Sequence, residues 1–199
     1  MQEARDKLRE QMTLRRRALD PATRMSAAQG LRRNLETLDA FTTAPRIAAY
    51  WACHGELPLN LVLAAAAMRE QHIFLPRIEG PRQMLFAPWK LGDPVEPNRY
   101  GIPEPVRAPD TQPPAAMDVV LVPLLAFDPR GHRLGHGGGY YDASFAFLRD
   151  APRPSRPLLI GVGYGFQGVD ELEPAAWDVR LDYIATDRTL INCNPQDEP

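Results

Sequence analysis

Apolar positions recur four apart at the start of the chain and gather into short continuous runs further on. Ala4, Leu8 and Met12 form an i, i+4 stripe, which predicts a helix over residues 3–19. Asp20-Pro21 ends it and offers an N-cap and a first helical position to a second helix, whose apolar residues are Leu31, Leu35 and Leu38. Ile47-Ala48-Ala49-Tyr50-Trp51 is the heart of a strand over 46–51, and an alanine-rich stretch predicts a helix over 58–71. Short strands follow at 72–75 and 84–87. Val119-Val120-Leu121-Val122, bounded by Asp118 and Pro123, reads as a buried strand. Tyr141, Phe145 and Leu148 stand at helical spacing. Strands are predicted at 158–162 and 183–186, with Leu190-Ile191 as a short added edge. Strands alternating with helices predict an α/β protein with a largely parallel central sheet. In such sheets ligands sit beyond the carboxyl ends of strands, where the segment after Trp51 and a glycine-rich stretch at 135–139 both fall.

Composition narrows the class. A chain of 199 residues with 44% hydrophobic content suits one domain, spanning 1–199, with a sizeable core. Residues 76–114 hold ten of the 21 prolines, yet Met84-Leu85-Phe86 interrupts them with apolar residues, so an ordered excursion is expected rather than a linker. Residues 192–199 read as a frayed tail. No apolar run is long enough to cross a bilayer and no secretory segment opens the chain, so no membrane contact and a cytoplasmic location are expected. Cys53 and Cys193 make neither metal spacing nor a disulfide framework. Residues 1–33 carry nine Lys/Arg against four acids, a net of +5, which leaves −7 for the rest. Arg15-Arg16-Arg17 reads as a solvated helix face, because consecutive helical residues point in different directions. No aromatic residues interleave with these cations, which argues against a nucleic-acid partner.

The polar residues restrict the chemistry. Only three serines occur, none in a nucleophile elbow, and the four histidines have no zinc-helix spacing, so covalent catalysis has no convincing nucleophile. The segment Arg133-Leu134-Gly135-His136-Gly137-Gly138-Gly139-Tyr140-Tyr141-Asp142, between the strand at 119–122 and an expected helix start, is a favourable anion cradle. A flexible turn is the plain alternative. Arg133 could pair with a phosphate, Asp142 could hold a divalent cation, and Tyr140 and Tyr141 could wall a planar ligand. Asp142 is equally a carboxylate favoured by a helix N-terminus, and Asp178 equally a turn residue. Arg5 and Arg9 share a helical face, which by spacing alone is surface charge. Trp51 and Glu56 pair a flat ring with a carboxylate, while core packing and a solvated loop acid explain them as well.

These segments together resemble a known family. Ala126-Phe127-Asp128, Gly131, Arg133-Leu134-Gly135, Gly137-Gly138-Gly139 and Tyr140-Tyr141-Asp142 are similar to the signature of the 5-formyltetrahydrofolate cyclo-ligases. Arg5 to Arg9, Tyr50 to Glu56, Gly101 to Pro105 and Trp177 to Thr186 extend the resemblance over nearly the whole chain. It implies a three-layer α/β/α fold. It also implies an ATP- and Mg2+-dependent cyclisation of 5-formyltetrahydrofolate to 5,10-methenyltetrahydrofolate, with ADP and phosphate released. By the resemblance, Arg5, Asp6, Lys7, Leu8 and Arg9 bind ATP together with Arg133, Leu134, Gly135, His136, Gly137, Gly138, Gly139, Tyr140 and Tyr141. Arg9, Trp51 and Glu56 bind folate, Asp142 and Asp178 bind the metal, and Arg133 and Tyr140 act in catalysis. Arg5 stands where many relatives carry lysine, and Gly138 replaces a lysine of some relatives, which leaves Arg133 as the clearest loop cation. His136 is expected only to line the loop. A monomer is expected. A folate- or nucleotide-binding protein without turnover is the alternative, and a nucleic-acid binder is disfavoured by the acidic remainder.

Overall fold

The computed structural model describes residues 2–106 and 110–194. Two helices open the chain, α1 (Gln2–Arg17) and α2 (Pro21–Leu35), followed by a single turn, α3 (Asp39–Thr42). Asp20 caps α2 as its spacing predicts, its carboxylate accepting from Thr23 N at 2.9 Å. Then come β1 (Arg46–Ala48), α4 (Asn60–Met68), β2 (His72–Gly80), β3 (Gln83–Pro88), β4 (Val95–Pro97) and β5 (Pro103–Pro105). The second half holds β6 (Val119–Pro123), β7 (Ala126–Phe127), β8 (Arg133–Leu134), α5 (Tyr140–Ser144), β9 (Leu158–Val162), β10 (Tyr183–Ala185) and β11 (Leu190–Asn192).

Seven strands form one sheet in the order β11-β10-β9-β6-β1-β2-β3. The five from β10 to β2 are parallel, and β11 and β3 close the two edges antiparallel. Side chains alternate between faces as the two-residue period requires. Ile47, Ala49, Val119 and Leu121 pack with Leu31, Leu35 and Val62 of α2 and α4. Ala48, Val120 and Val122 pack on the other face with Phe86, Phe145 and Leu148. The fold is mixed α/β with a mostly parallel sheet, as the pattern predicts. Its second helical layer is thin: a five-residue α5 and the 3-10 turn Ala146–Leu148. Tyr141, Phe145 and Leu148 do share one face, but the helix breaks at Phe145, and Pro152, Pro154 and Pro157 prevent its renewal.

Other boundaries move for local reasons. Leu38 lies beyond α2, at the start of α3. β1 ends at Ala48, so Tyr50 and Trp51 belong to the following loop. β2 runs through Pro76, where a strand end would be expected. Pro76 faces Phe86, whose N–H and C=O both bond Gln112 on its other side, at 2.9 and 2.8 Å. The missing proline N–H therefore removes no bond between β2 and β3, and β1 has already ended on the opposite side. The described part of the proline-rich excursion, residues 76–106 and 110–114, is ordered: Glu104, in the hairpin β4–β5, accepts from Ile78 N at 3.0 Å and from Asn98 Nδ2 at 2.7 Å. Of the expected frayed tail, Asn192 is in β11 and Cys193 is fully buried, while residues 195–199 lie outside the described residues.

Helix α2 comes against the sheet edge so closely that a Cβ on Gly30 would lie 2.1 Å from the carbonyl oxygen of Asp187. Gly30→Ala should therefore lower stability by about 1–3 kcal/mol or more, overriding a gain of about 1 kcal/mol in helix propensity. Urea unfolding measures it, and an unchanged or raised midpoint would contradict this packing.

Candidate active site

The chain leaves β1 toward β2 and β3 on one side, and the later strands β6, β9 and β10 lie on the other. The switch point thus lies between β1 and β6, where a crevice forms beyond the carboxyl ends. The loop after β1 is closed by Tyr50, whose hydroxyl donates to Leu57 O at 3.0 Å. His54 and Gly55 take positive φ, 51° and 78°, and turn the chain so that Glu56 points back. Cys53 N donates to Glu56 Oε2 at 2.9 Å. Trp51 is half-buried and meets Trp89 edge-on at 5.9 Å.

Glu56 is the electrostatic centre of this region. Its side chain is 10% exposed, and Oε1 accepts no hydrogen bond among the described residues. Oε1 lies 3.5 Å from His136 Nε2 and 4.0 Å from Arg16 Nη1. Burial, followed by the Glu56 carboxylate, raises the phenol pKa of both Tyr50 and Tyr141. Arg16 corrects the expectation of a solvated triple-arginine face: its side chain is 1% exposed. Nη1 donates to Leu124 O, just past β6, and Nη2 approaches His136 Nε2, both at 3.3 Å. Burial lowers the Arg16 pKa from its usual value, and Glu56 opposes the shift. Position 16 continues the series 4, 8, 12, which is the signal that could have found it.

The glycine loop does not follow β6 directly. The hairpin β7–β8 intervenes, and Leu134 is buried beneath it with Met12 and Leu125, with Leu8 packed alongside. Gly137 and Gly139 take positive φ, 96° and 68°, whereas Gly138 does not. A Cβ on Gly135 or Gly137 would meet nothing within 4 Å, so a ligand can approach this backbone closely. Helix α5 is too short for a sizeable dipole, so any anion cradle rests on the loop amides themselves. Helix α1 borders the loop, with Arg9 Nε donating to Gly135 O at 3.0 Å and Nη1 pairing with Asp6 at 2.5 Å. Lys7 and Asp6 are exposed.

Arg133 is not the free loop cation the sequence suggests. Its side chain is 5% exposed, with Nη1 donating to Val179 O and Nη2 pairing with Asp142 Oδ1 at 2.5 Å. Asp142 Oδ1 also accepts from Val179 N at 3.1 Å, which brings it beside Asp178. Asp178 Oδ2 accepts from Ala175 N at 2.9 Å and pairs with Arg5 at 3.4 Å. Among the described residues no group of three or more His, Cys, Asp or Glu could hold a metal. Each aspartate keeps one oxygen without a hydrogen bond among the described residues, however, and Mg2+ needs only one or two carboxylates when phosphates and waters complete its shell.

Tyr140 opens α5 and is held from outside the motif. Its hydroxyl accepts from Arg99 Nη2 at 2.7 Å and pairs with Tyr100 at 2.8 Å, both at the tip of hairpin β4–β5. The Tyr100 hydrogen bond and the Arg99 guanidinium lower the Tyr140 pKa, and the same Tyr100–Tyr140 bond raises that of Tyr100. The sequence carries no periodicity that would single out Arg99 and Tyr100.

The family model described as the 5-formyltetrahydrofolate cyclo-ligase family matches residues 1–187. The 5-formyltetrahydrofolate cyclo-ligase of Haemophilus influenzae is 31% identical over 141 residues, covering 69% of this chain and 73% of the relative. That of Escherichia coli is 28% identical, covering 86% of this chain and 94% of its own. The solution structure of Aquifex aeolicus 5,10-methenyltetrahydrofolate synthetase superposes with a TM-score of 0.82 at 27% identity, covering 98% of this chain and 95% of that one.

Asp142 is the counter-charge of a buried guanidinium. Asp142→Asn should therefore lower stability by about 1–3 kcal/mol even without metal, less than a fully buried broken pair because Asp142 is partly exposed. Urea unfolding in the presence of a chelator tests this, and an unchanged midpoint would show that Arg133 does not depend on Asp142.

Proposed function

The chain belongs to the 5-formyltetrahydrofolate cyclo-ligase family, and we propose that it performs the ATP- and Mg2+-dependent closure of 5-formyltetrahydrofolate to 5,10-methenyltetrahydrofolate. ADP and phosphate are the other products, and ATP is a substrate. One observation carries this reading: the open Glu56 oxygen is 3.5 Å from His136, in the middle of the glycine loop. A flat donor-bearing ring held by Glu56 and a phosphate held by the loop would therefore lie side by side.

In this reading Glu56 accepts from the amino-pyrimidinone edge of the pterin, and Trp51 offers a ring beside it. The formyl oxygen attacks the γ-phosphorus, the bond to the β-phosphate breaks, and ADP leaves. N10 then adds to the activated carbon and loses its proton, and the C–O bond breaks with its electron pair leaving on phosphate. The amides of Gly135 to Gly139, with Arg5 and Arg9, stabilise the transferring charge. Arg133 is already committed, so it positions Asp142 rather than touching phosphate. Tyr140, with its lowered pKa, borders the same loop as a hydrogen-bonding group. Asp142 and Asp178 offer their free oxygens to Mg2+, which when bound neutralises and aligns phosphates. The whole chain acts as one domain. No described helix is long and apolar enough to cross a membrane.

ADP release on mixing protein, 5-formyltetrahydrofolate and Mg-ATP tests the reading, with folate-dependent turnover expected. ATP consumption that ignores folate, or none at all, would overturn it and favour a binding protein. Glu56→Gln keeps the shape and loses the charge, so folate binding should weaken by about 1.5–3 kcal/mol with ATP binding little changed. Isothermal titration of each ligand separates the cases, and equal loss of both would contradict distinct subsites.

A further inference from the structure

Arg16 is a buried cation that the reaction as described does not use. A guanidinium at 1% exposure is expensive to bury, and an apolar side chain of similar volume would often fill the space as well or better. Its contacts are specific. Nη1 donates to Leu124 O, where β6 gives way to the site, and lies 4.0 Å from Glu56 Oε1. Nη2 reaches His136 Nε2 at 3.3 Å, and Nε has no partner among the described residues. Arginine only donates, so in this contact His136 accepts on Nε2, and the 3.5 Å between that nitrogen and Glu56 Oε1 is then an approach across Arg16 rather than a hydrogen bond. One guanidinium thus joins the end of β6, the carboxylate after β1 and the middle of the glycine loop.

We propose that Arg16 is a positioning residue for folate: it orients the Glu56 carboxylate and, through His136, fixes that carboxylate relative to the glycine loop. The proposal rests on the reading of Glu56 as the pterin's acceptor. At 4.0 Å Arg16 does not saturate Oε1, so it holds the carboxylate by charge and leaves that oxygen free for a ligand donor. Cys53 N fixes the other oxygen. Gly55 makes the close approach possible, because a Cβ there would come within 3.1 Å of Arg16 O.

The test is a double-mutant cycle read by isothermal titration with 5-formyltetrahydrofolate and, separately, with ATP. It uses wild type, Arg16→Met, Arg16→Lys, Glu56→Gln and the Arg16→Met/Glu56→Gln pair, with the melting temperature of each recorded free of ligand. Arg16→Met should weaken folate binding about tenfold to a hundredfold, and Arg16→Lys should recover part of the loss. The double variant should bind folate no more weakly than Glu56→Gln alone, because both changes remove one effect. His136→Leu, at an exposed loop position, should give a smaller folate loss with no change in melting temperature. Losses that multiply in the double variant, or wild-type folate affinity in Arg16→Met, would overturn the proposal. If Arg16→Met does not fold, Arg16→Lys and His136→Leu decide, and normal folate binding by both overturns it. If Glu56→Gln binds folate normally while Arg16→Met does not, the Glu56 reading itself is at fault and the proposal falls with it.

Discussion

Two adjacent parallel strands, β1 and β6, leave the sheet at the same end, and the chain continues on opposite sides of them. Everything at the site follows from that constraint. A parallel pair cannot be joined by a tight turn, so long connections must begin there. The connection after β1 turns sharply through His54 and Gly55 and returns Glu56 to the crevice. The connection after β6 makes the hairpin β7–β8 and then the glycine loop. Neither has much regular structure of its own, so side chains must satisfy and fix the backbone that helices and strands would otherwise fix.

Buried charge does that work. Asp128 is fully buried and accepts from Arg130 N, His132 N and Leu172 N, which ties the turn of hairpin β7–β8 to the segment that precedes Asp178. Desolvation would raise the Asp128 pKa, but the bonds from Leu172 N and from the ring and backbone nitrogens of His132 hold it below its usual value. Its ionised form is therefore stabilising at neutral pH, and the contribution fades only as pH falls through the lowered folded value. Arg133 with Asp142 repeats the device one step further along, joining the loop to Val179. A charge buried with its partner is only weakly stabilising, but breaking one half of the pair is costly, so such pairs specify one arrangement of loops.

This explains why the sheet was more legible in the sequence than the site. Val119 to Val122 or Leu158 to Val162 declare themselves by unbroken apolar runs, because burial on both faces is a local requirement. Asp20-Pro21 declares a helix start for equally local reasons. The two-residue strands β7 and β8 are too short to show a period. Arg16 reads as one of three surface cations until Glu56, forty positions later, lies across from it. The free or committed state of Arg133 is likewise decided by Asp142 and Val179, not by the glycines beside it. The resemblance to a family pointed to Glu56, Arg133 and Asp142 but not to Arg16, and only the fold shows that Arg133 is held by Asp142 and Val179.

Helix α1 shows the same division within one element. Its apolar contact is small, Leu8 and Met12 against Leu125 and Leu134. The rest of its attachment is through arginine: Arg5, Arg9, Arg15 and Arg16 donate to the carbonyls of Glu173, Gly135, Phe166 and Leu124, and Arg5 also pairs with the Asp178 carboxylate at 3.4 Å. Arg15 also lies over the Phe166 ring at 4.4 Å. Carbonyls are neutral acceptors, and a guanidinium bonds an oxyanion about twice as strongly. In the proposed reaction, an incoming phosphate would displace these carbonyls from Arg5 and Arg9 near the open end of the helix, while competing on more equal terms with their carboxylate partners Asp178 and Asp6. Arg16, enclosed at the other end and facing Glu56, has no such exchange available. The helix is then anchored most deeply at its carboxyl end, which in the proposed reaction would let its amino end take ATP without disturbing the carboxylate proposed to hold folate.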